Sequence, residues 1–348
     1  MPNDIAARID AWSARCADPK HDALQGMAEA GLLAAADSYR AIAYVKAALV
    51  ERTGLPGVAG VWGGRQMVAR WFIAGFGNAQ QRGAWLNRAA AVAISEPRIG
   101  AHPKLLTTRA ESEGDGFRIS GEKAWVSNGP LADVFVVLAI TAEEQGRKRY
   151  SALLVPRDAP GVTLKAMPAF AALPPSRHCG LVLDNVWVPR TALLGPENAA
   201  YETMALPFRD IEDAVGTCTL LGGFRFLLAR LARHEPADDF ARSLGAVAAL
   251  VAVFAQAAKA VVAALDPGAL ANKAATLSGL HVLAAEIIAR IRALRPDNDT
   301  DTSIDELLRD IDVLLSVAKG PRQARLARLG REFRDASVKR DGGSQSQE

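Results

Sequence analysis

Ala93-Ile94-Ser95-Glu96-Pro97 and Trp125-Val126-Ser127-Asn128-Gly129 bracket the stretch of this chain that decides its fold. Between them stand Gly114-Asp115-Gly116 and then Ser120-Gly121-Glu122-Lys123. Glycines around an aspartate supply the backbone freedom and local hydrogen bonding that a tight reversal needs. The stretch therefore predicts a hairpin whose turn lies at 114–116.

Outward from it, residues 91–196 read as short apolar runs. Val134-Phe135-Val136-Val137-Leu138-Ala139-Ile140 is rich in β-branched residues and predicts a buried strand. Ala152-Leu153-Leu154-Val155-Pro156 and Leu181-Val182-Leu183-Asp184 predict two more, and Pro160-Gly161, Pro174-Pro175 and Gly195-Pro196 predict turns. Closely spaced strands with turn signals suggest a small barrel or sandwich. Upstream, residues 6–88 read as helical, with Leu24, Met27, Ala28 and Leu32 at three- and four-residue spacing. Downstream, a long helix is expected to begin at Pro207 and to stop at Pro236. Helices are then expected over 239–265, 272–294, 304–318 and 321–334, with a polar linker at 296–303.

The 348 residues are enough for two or three domains, half of them are hydrophobic, and 23% are charged. A net charge of +3 is too small to argue for nucleic acid. Cys16, Cys179 and Cys218 are odd in number and far apart, which suits small buried side chains in a reducing cytoplasm. Residues 1–10 lack the apolar segment of a signal peptide. Leu244–Leu265 is long and apolar but alanine-rich and interrupted by Gln256 and Lys259, so a packed bundle helix is expected and no stable membrane insertion. The five histidines show no metal-ligand spacing, and no dinucleotide, Walker or nucleophile-elbow motif occurs. Arg322, Arg325, Arg328, Arg331 and Arg334 form a cationic stripe that suits a solvated face, an acidic partner or a CoA phosphate.

The helical, β, helical order and the two bracketing motifs resemble the acyl-CoA dehydrogenase family, most clearly over 91–231. The resemblance implies an α+β multidomain fold: an N-terminal helical domain (1–90), a central β-barrel or sandwich domain (91–198) and a C-terminal helical bundle (199–336); the polar composition of 337–348 predicts a disordered tail. It also implies an FAD site. A flavin needs donors near its N5 and O2 side and a flat apolar wall. By resemblance, Ser127 reaches N5, Ser95 reaches the pyrimidine side, Trp125 packs beside the ring, and Ile94 and Val126 complete the two segments. Read alone, Ser95 and Ser127 equally suit strand-end caps and Trp125 a core position.

Family members oxidise acyl thioesters by taking the α-proton with a carboxylate while hydride leaves the β-carbon. The Tyr-Glu-Gly-Thr segment that usually carries this base is absent. A minority place it on the long helix after the β-domain, within Leu-Asp-x-Glu-Arg, where this chain reads Phe208-Arg209-Asp210-Ile211-Glu212-Asp213. The resemblance thus assigns Glu212 as base, with Asp213 in place of the family Arg. Without it, the acidic trio suits the first turns of a helix, where the dipole favours carboxylates.

The chain departs from the pattern elsewhere. After Glu-Pro the family continues Gly-Ala-Gly-Ser-Asp; here Arg98-Ile99-Gly100-Ala101-His102-Pro103-Lys104 follows, so one hydroxyl is replaced by Ala101 and cations stand nearby. The Arg-x-x-Phe-Gly and later Gly-Gly-x-Gly segments are missing. The expectation is FAD-dependent α,β-dehydrogenation of an acyl-CoA or acyl-carrier thioester, in a cytoplasmic homo- or hetero-oligomer (dimer or tetramer) that passes electrons to an electron-transferring flavoprotein. The alternatives are a catalytically incomplete subunit of a heteromeric complex and a flavin-dependent oxidase or monooxygenase.

Overall fold

The computed structural model describes residues 2–167, 172–233, 238–296 and 299–343. The chain divides into two compact units, 1–222 and 223–348. The first opens with α1 (Pro2–Ser13), α2 (Tyr39–Thr53) and α3 (Pro56–Val68); α3 runs on as a π-helical turn over Ala69–Ala74, and α4 (Ala79–Trp85) follows. Ser38 caps α2 by accepting the Ala41 N–H, and Gly54 ends it in the left-handed conformation at φ 68°. Asn78 and Gln81 form a reciprocal capping box on α4. Residues 14–38, expected to be helical, are mostly tight turns instead. Gly26 and Gly31 sit at φ 75° and 68°, which breaks any helix, and the periodic Met27 and Leu32 are buried from these turns.

A mixed sheet follows, built from β1 (Ala90–Ala93), β2 (Arg109–Glu113), β3 (Gly116–Ser127), β4 (Val134–Glu144), β5 (Arg147–Pro156), β6 (Val162–Ala166), β7 (His178–Pro189) and β8 (Leu193–Leu194). The expected hairpin is β2–β3, closed by the Glu113–Gly116 pair around Gly114 at φ 60°. Strand order is β6-β7-β3-β2-β4-β5-β8, with β1 parallel to β4. Among the described residues the β2–β4 ladder is a single register pair, Arg109–Ile140. Phe117, Ile119, Leu181 and Val186 of one half share a core with Phe135, Val137, Leu153 and Val155 of the other, so the sheet folds over in the manner of a sandwich. The opposite face of β4 presents Val136 and Leu138 to Phe72 and Met204. That two-sided burial is why this strand reads as a continuous apolar run.

A charged pair lies inside this apolar layer. The Lys123 ammonium donates to Glu96 at 3.0 Å, with the two side chains 0% and 2% exposed. The same carboxylate accepts from the backbone and hydroxyl of Thr107 (2.7 and 2.8 Å) and of Thr108 (2.9 and 2.6 Å). Burial alone would raise the Glu96 carboxyl. Lys123 and the Thr108 hydrogen bonds outweigh burial and bring it down to about 2. Its contribution to stability is therefore present above the ordinary carboxylate range and lost as pH falls toward 2.

After β8, a π-helical turn (Tyr201–Ala205) leads into α5 (Leu206–Leu231). The Leu206 N–H bonds back five residues to Tyr201. Pro207, expected to open the helix, lies just beyond this wide turn, which accommodates its missing N–H and bulky ring. The stop expected at Pro236 lies outside the described residues. The second unit contains the end of α5, then α6 (Asp238–Ala263), α7 (Ala274–Leu294), α8 (Thr302–Ser316) and α9 (Lys319–Gly343). Phe224 meets Phe254 edge-on at 5.2 Å, and Arg230 pairs with Asp301 at 3.2 Å. Where a disordered tail is expected from 337, α9 continues through 343. By length and composition, Tyr201–Leu231, Asp238–Ala263 and Leu270–Leu294 are each sufficient to cross a membrane. Cys16, Cys179 and Cys218 are buried.

Replacing Lys123 by Met strands a buried carboxylate and is expected to cost about 3–5 kcal/mol of unfolding free energy in urea titrations. Adding Glu96→Gln should recover part of that loss, since the two residues act as one unit. A single-variant loss below about 1 kcal/mol would show that the pair does not hold the sheet.

Candidate functional site

The two motif segments lie side by side in the fold. The Ala124 N–H donates to the Ser95 carbonyl at 2.8 Å, and Lys123 Nζ to the Ile94 carbonyl at 3.2 Å. The β3–β7 register shifts between Lys123 and Val126, and Trp125 adopts φ 56°. Such a bulge re-aims side chains at a strand end. The Trp125 indole is left 50% exposed, its backbone N–H donates to the Met167 sulfur at 3.2 Å, and its ring meets His178 edge-on at 6.0 Å. Ser127 Oγ lies 3.1 Å from His178 Nδ1.

Val126 points the other way. Its side chain is 1% exposed within the sheet core, so alternation along the strand leaves only its backbone on the side of Trp125 and Ser127. The Ile94 side chain belongs to the apolar layer with Phe72, Val136, Leu138 and Met204. Asn128 takes a left-handed turn at φ 59°, donates from Nδ2 to the Val61 carbonyl at 3.0 Å, and keeps a buried Oδ1 without a hydrogen-bond partner among the described residues.

Glu212 lies on α5, well inside a continuous helical run from Tyr201, so the helix-start dipole does not account for it. Its side chain is exposed to solvent, although protein atoms crowd around it. This enclosure raises its carboxyl, the charge of Lys46 lowers it, Asp213 raises it again, and the net value is about 7. Burial lowers the Lys46 ammonium, while Glu212 and Cys218 act in the opposite direction. Lys46 is a residue that the sequence did not single out. It comes from α2, which lies against α5 where Gly222 has no room for a Cβ: that atom would stand 2.3 Å from the Ala47 carbonyl.

The two halves of the site meet on α3. A Cβ on Gly63 would lie 2.7 Å from the Lys46 side chain, and one on Gly64 would lie 2.7 Å from Asn128 Nδ2. One helical turn thus supports the lysine beside Glu212 on one side and the residue after Ser127 on the other. Adjacent glycines within a helical pattern, Trp62-Gly63-Gly64-Arg65, were the available sequence signal. Arg98 occupies the left-handed tip of a closed loop in which Glu96 and Gly100 exchange backbone hydrogen bonds of 2.9 and 3.1 Å. His102 and Lys104 follow on exposed backbone. Among the described residues no cluster of metal-ligating side chains occurs.

Residues 91–186 match the model of the acyl-CoA dehydrogenase middle domain. An acyl-CoA dehydrogenase of Bacillus subtilis is 32% identical over 132 residues, which is 36% of this chain and 35% of that protein. The matching segment spans about a third of the length of such curated relatives. Likeness of fold extends much further. Glutaryl-CoA dehydrogenase from Mycobacterium smegmatis superposes with a TM-score of 0.74 at 21% identity, covering 91% of this chain and 89% of that one. The FAD complex of PigA superposes with a TM-score of 0.77 at 16% identity, covering 94% and 97%. The middle-domain match, the curated relatives and the architecture agree: residues 91–186 are similar to the acyl-CoA dehydrogenase middle domain, and the chain shares the fold of acyl-CoA dehydrogenases.

Proposed function

We propose that this chain is an FAD-dependent oxidoreductase that desaturates an acyl thioester, with Glu212 as the base. The observation that carries this reading is the turn of α3 at Gly63-Gly64, which ties the Glu212–Lys46 side of the fold to the Ser127–Asn128 side. The residues present suit a flavin. Trp125 offers an exposed apolar ring, Ser127 brings a hydroxyl to its side of the strand, the Ser95 backbone bonds to Ala124 next to Trp125, and Asn128 Oδ1 is a buried acceptor without a partner among the described residues. FAD, when bound, supplies the acceptor for the hydride that leaves the β-carbon.

Glu212 takes the α-proton. A carboxyl near 7 is half ionised at neutral pH and basic enough to accept a carbon-bound proton from an activated thioester. Lys46 keeps the carboxylate fraction from falling further, against the opposing charge of Asp213. Arg98, His102 and Lys104 provide cations for a phosphate of the cofactor or of the acyl carrier. An electron-transferring flavoprotein is the proposed acceptor of the electrons, and a dimer or tetramer the working state, in a cytoplasmic setting.

A second reading, an incomplete subunit that pairs with an unlike chain, draws on the missing C-terminal motifs and on the apolar faces of α6 and α7. Val253 and Val282 on those helices are 60% and 55% exposed. The absorbance spectrum of the purified chain, before and after adding FAD, separates the two. A stoichiometric flavin spectrum supports the dehydrogenase. A colourless chain that ignores added FAD overturns it in favour of the paired subunit.

With FAD bound, Glu212→Gln should reduce acyl-CoA bleaching of the flavin by about 10²–10⁴-fold while leaving the flavin spectrum intact. Unchanged turnover would remove Glu212 from the chemistry. Lys46→Met should move the Glu212 titration upward from about 7, because the cation that lowers it is lost. Carboxyl carbon NMR against pH would show this directly, and a downward shift would contradict the assignment.

A further inference from the structure

Ser127 and His178 stand directly opposite each other in the β3–β7 ladder, so their side chains share a face. The hydroxyl and Nδ1 are 3.1 Å apart, and the Trp125 ring closes the group from the side at 6.0 Å. A serine hydroxyl has one hydrogen to give and two lone pairs. A neutral imidazole has one donor and one acceptor nitrogen. If Nδ1 accepts, the serine hydrogen is spent on the histidine and only lone pairs face outward. If Nδ1 carries the hydrogen, it donates to Oγ and the serine hydroxyl is free to donate to a ligand. The partner that His178 offers therefore decides which kind of group Ser127 presents.

We infer that His178 is a positioning residue for the flavin edge, acting through Ser127: its Nδ1 donates to Ser127 Oγ and thereby releases the serine hydroxyl as a donor toward the cofactor. This rests on the FAD-binding reading above. Burial lowers the His178 pKa, which favours the neutral ring whose tautomer matters here. The geometry supplies what a donor switch needs: a short contact, a ring flanked by Trp125, and a β3 register shift just before Ser127. No bond is made or broken in this role.

The test has a cofactor-free arm and a loaded arm, both on the full chain. Without FAD, imidazole nitrogen NMR should show His178 protonated on Nδ1, with that population reduced in Ser127→Ala. A ring protonated on Nε2 in wild type, or a tautomer indifferent to Ser127→Ala, overturns the proposal. With FAD bound, the midpoint potential should shift in the same direction in His178→Ala and Ser127→Ala. The double variant should go no further than Ser127→Ala alone, and His178→Asn, which keeps a donor near the Nδ1 position, should recover part of the wild-type value. Additive shifts, or a potential unmoved by His178→Ala, overturn the proposal while leaving the flavin reading intact. Wild-type protein that binds no FAD overturns both, and shows it before any variant is made.

Discussion

The buried pair of Glu96 and Lys123 constrains the rest of the first unit. A carboxylate and an ammonium inside an apolar layer are tolerated only when both are held by good partners. Glu96 meets that demand with one cation and four hydrogen bonds from Thr107 and Thr108. Those bonds join the end of β1, the start of β2 and the middle of β3 at one point. Lys123 also reaches the Ile94 carbonyl, and the next residue, Ala124, bonds to Ser95. The positions of Ser95 and Trp125 thus follow from an ion pair that needs no contact with any ligand. Glu96 of the Ser-Glu-Pro motif is in this sense an organiser of the site.

Much of the β-domain was legible in sequence because its signals are local. The Gly114-Asp115-Gly116 turn and the β-branched run of β4 each report on a few consecutive residues, and the association of the two motif segments was read from family resemblance. Where local pattern and tertiary demand diverged, the reading slipped. Leu24, Met27, Ala28 and Leu32 are spaced as on a helix, yet they belong to turns set by left-handed Gly26 and Gly31. Val126 sits within the second motif segment, where the buried side chain leaves only its backbone on the side of Trp125 and Ser127. Lys46 carried no signal at all. It is one lysine in an ordinary helix, and only the packing of α2 on α5 brings its charge to Glu212.

The site is therefore assembled from two kinds of support. One is a strand corner fixed by buried polar bonds, which places Ser95, Trp125, Ser127 and His178. The other is a set of close helix approaches made possible by missing side chains at Gly63, Gly64 and Gly222. The first is electrostatic and directional, the second steric. Only the first shows a motif, since glycine tolerance looks the same in any well-packed helix.

The π-helical turn before α5 acts as a phase adjuster for the whole helix. A wide turn adds about one residue to the local repeat, roughly 100° of rotation for everything downstream. Within it, the Met204 side chain belongs to the apolar layer over β4, and its carbonyl accepts from Trp71 at 3.0 Å. Downstream, Glu212 and Cys218 are brought within electrostatic range of Lys46, and Gly222 meets α2. A uniform α-helix through 201–222 would put these two sets of residues out of step by that angle. Insertions and deletions in 201–205 are thus equivalent to turning a dial on the candidate base, without altering any residue that contacts it.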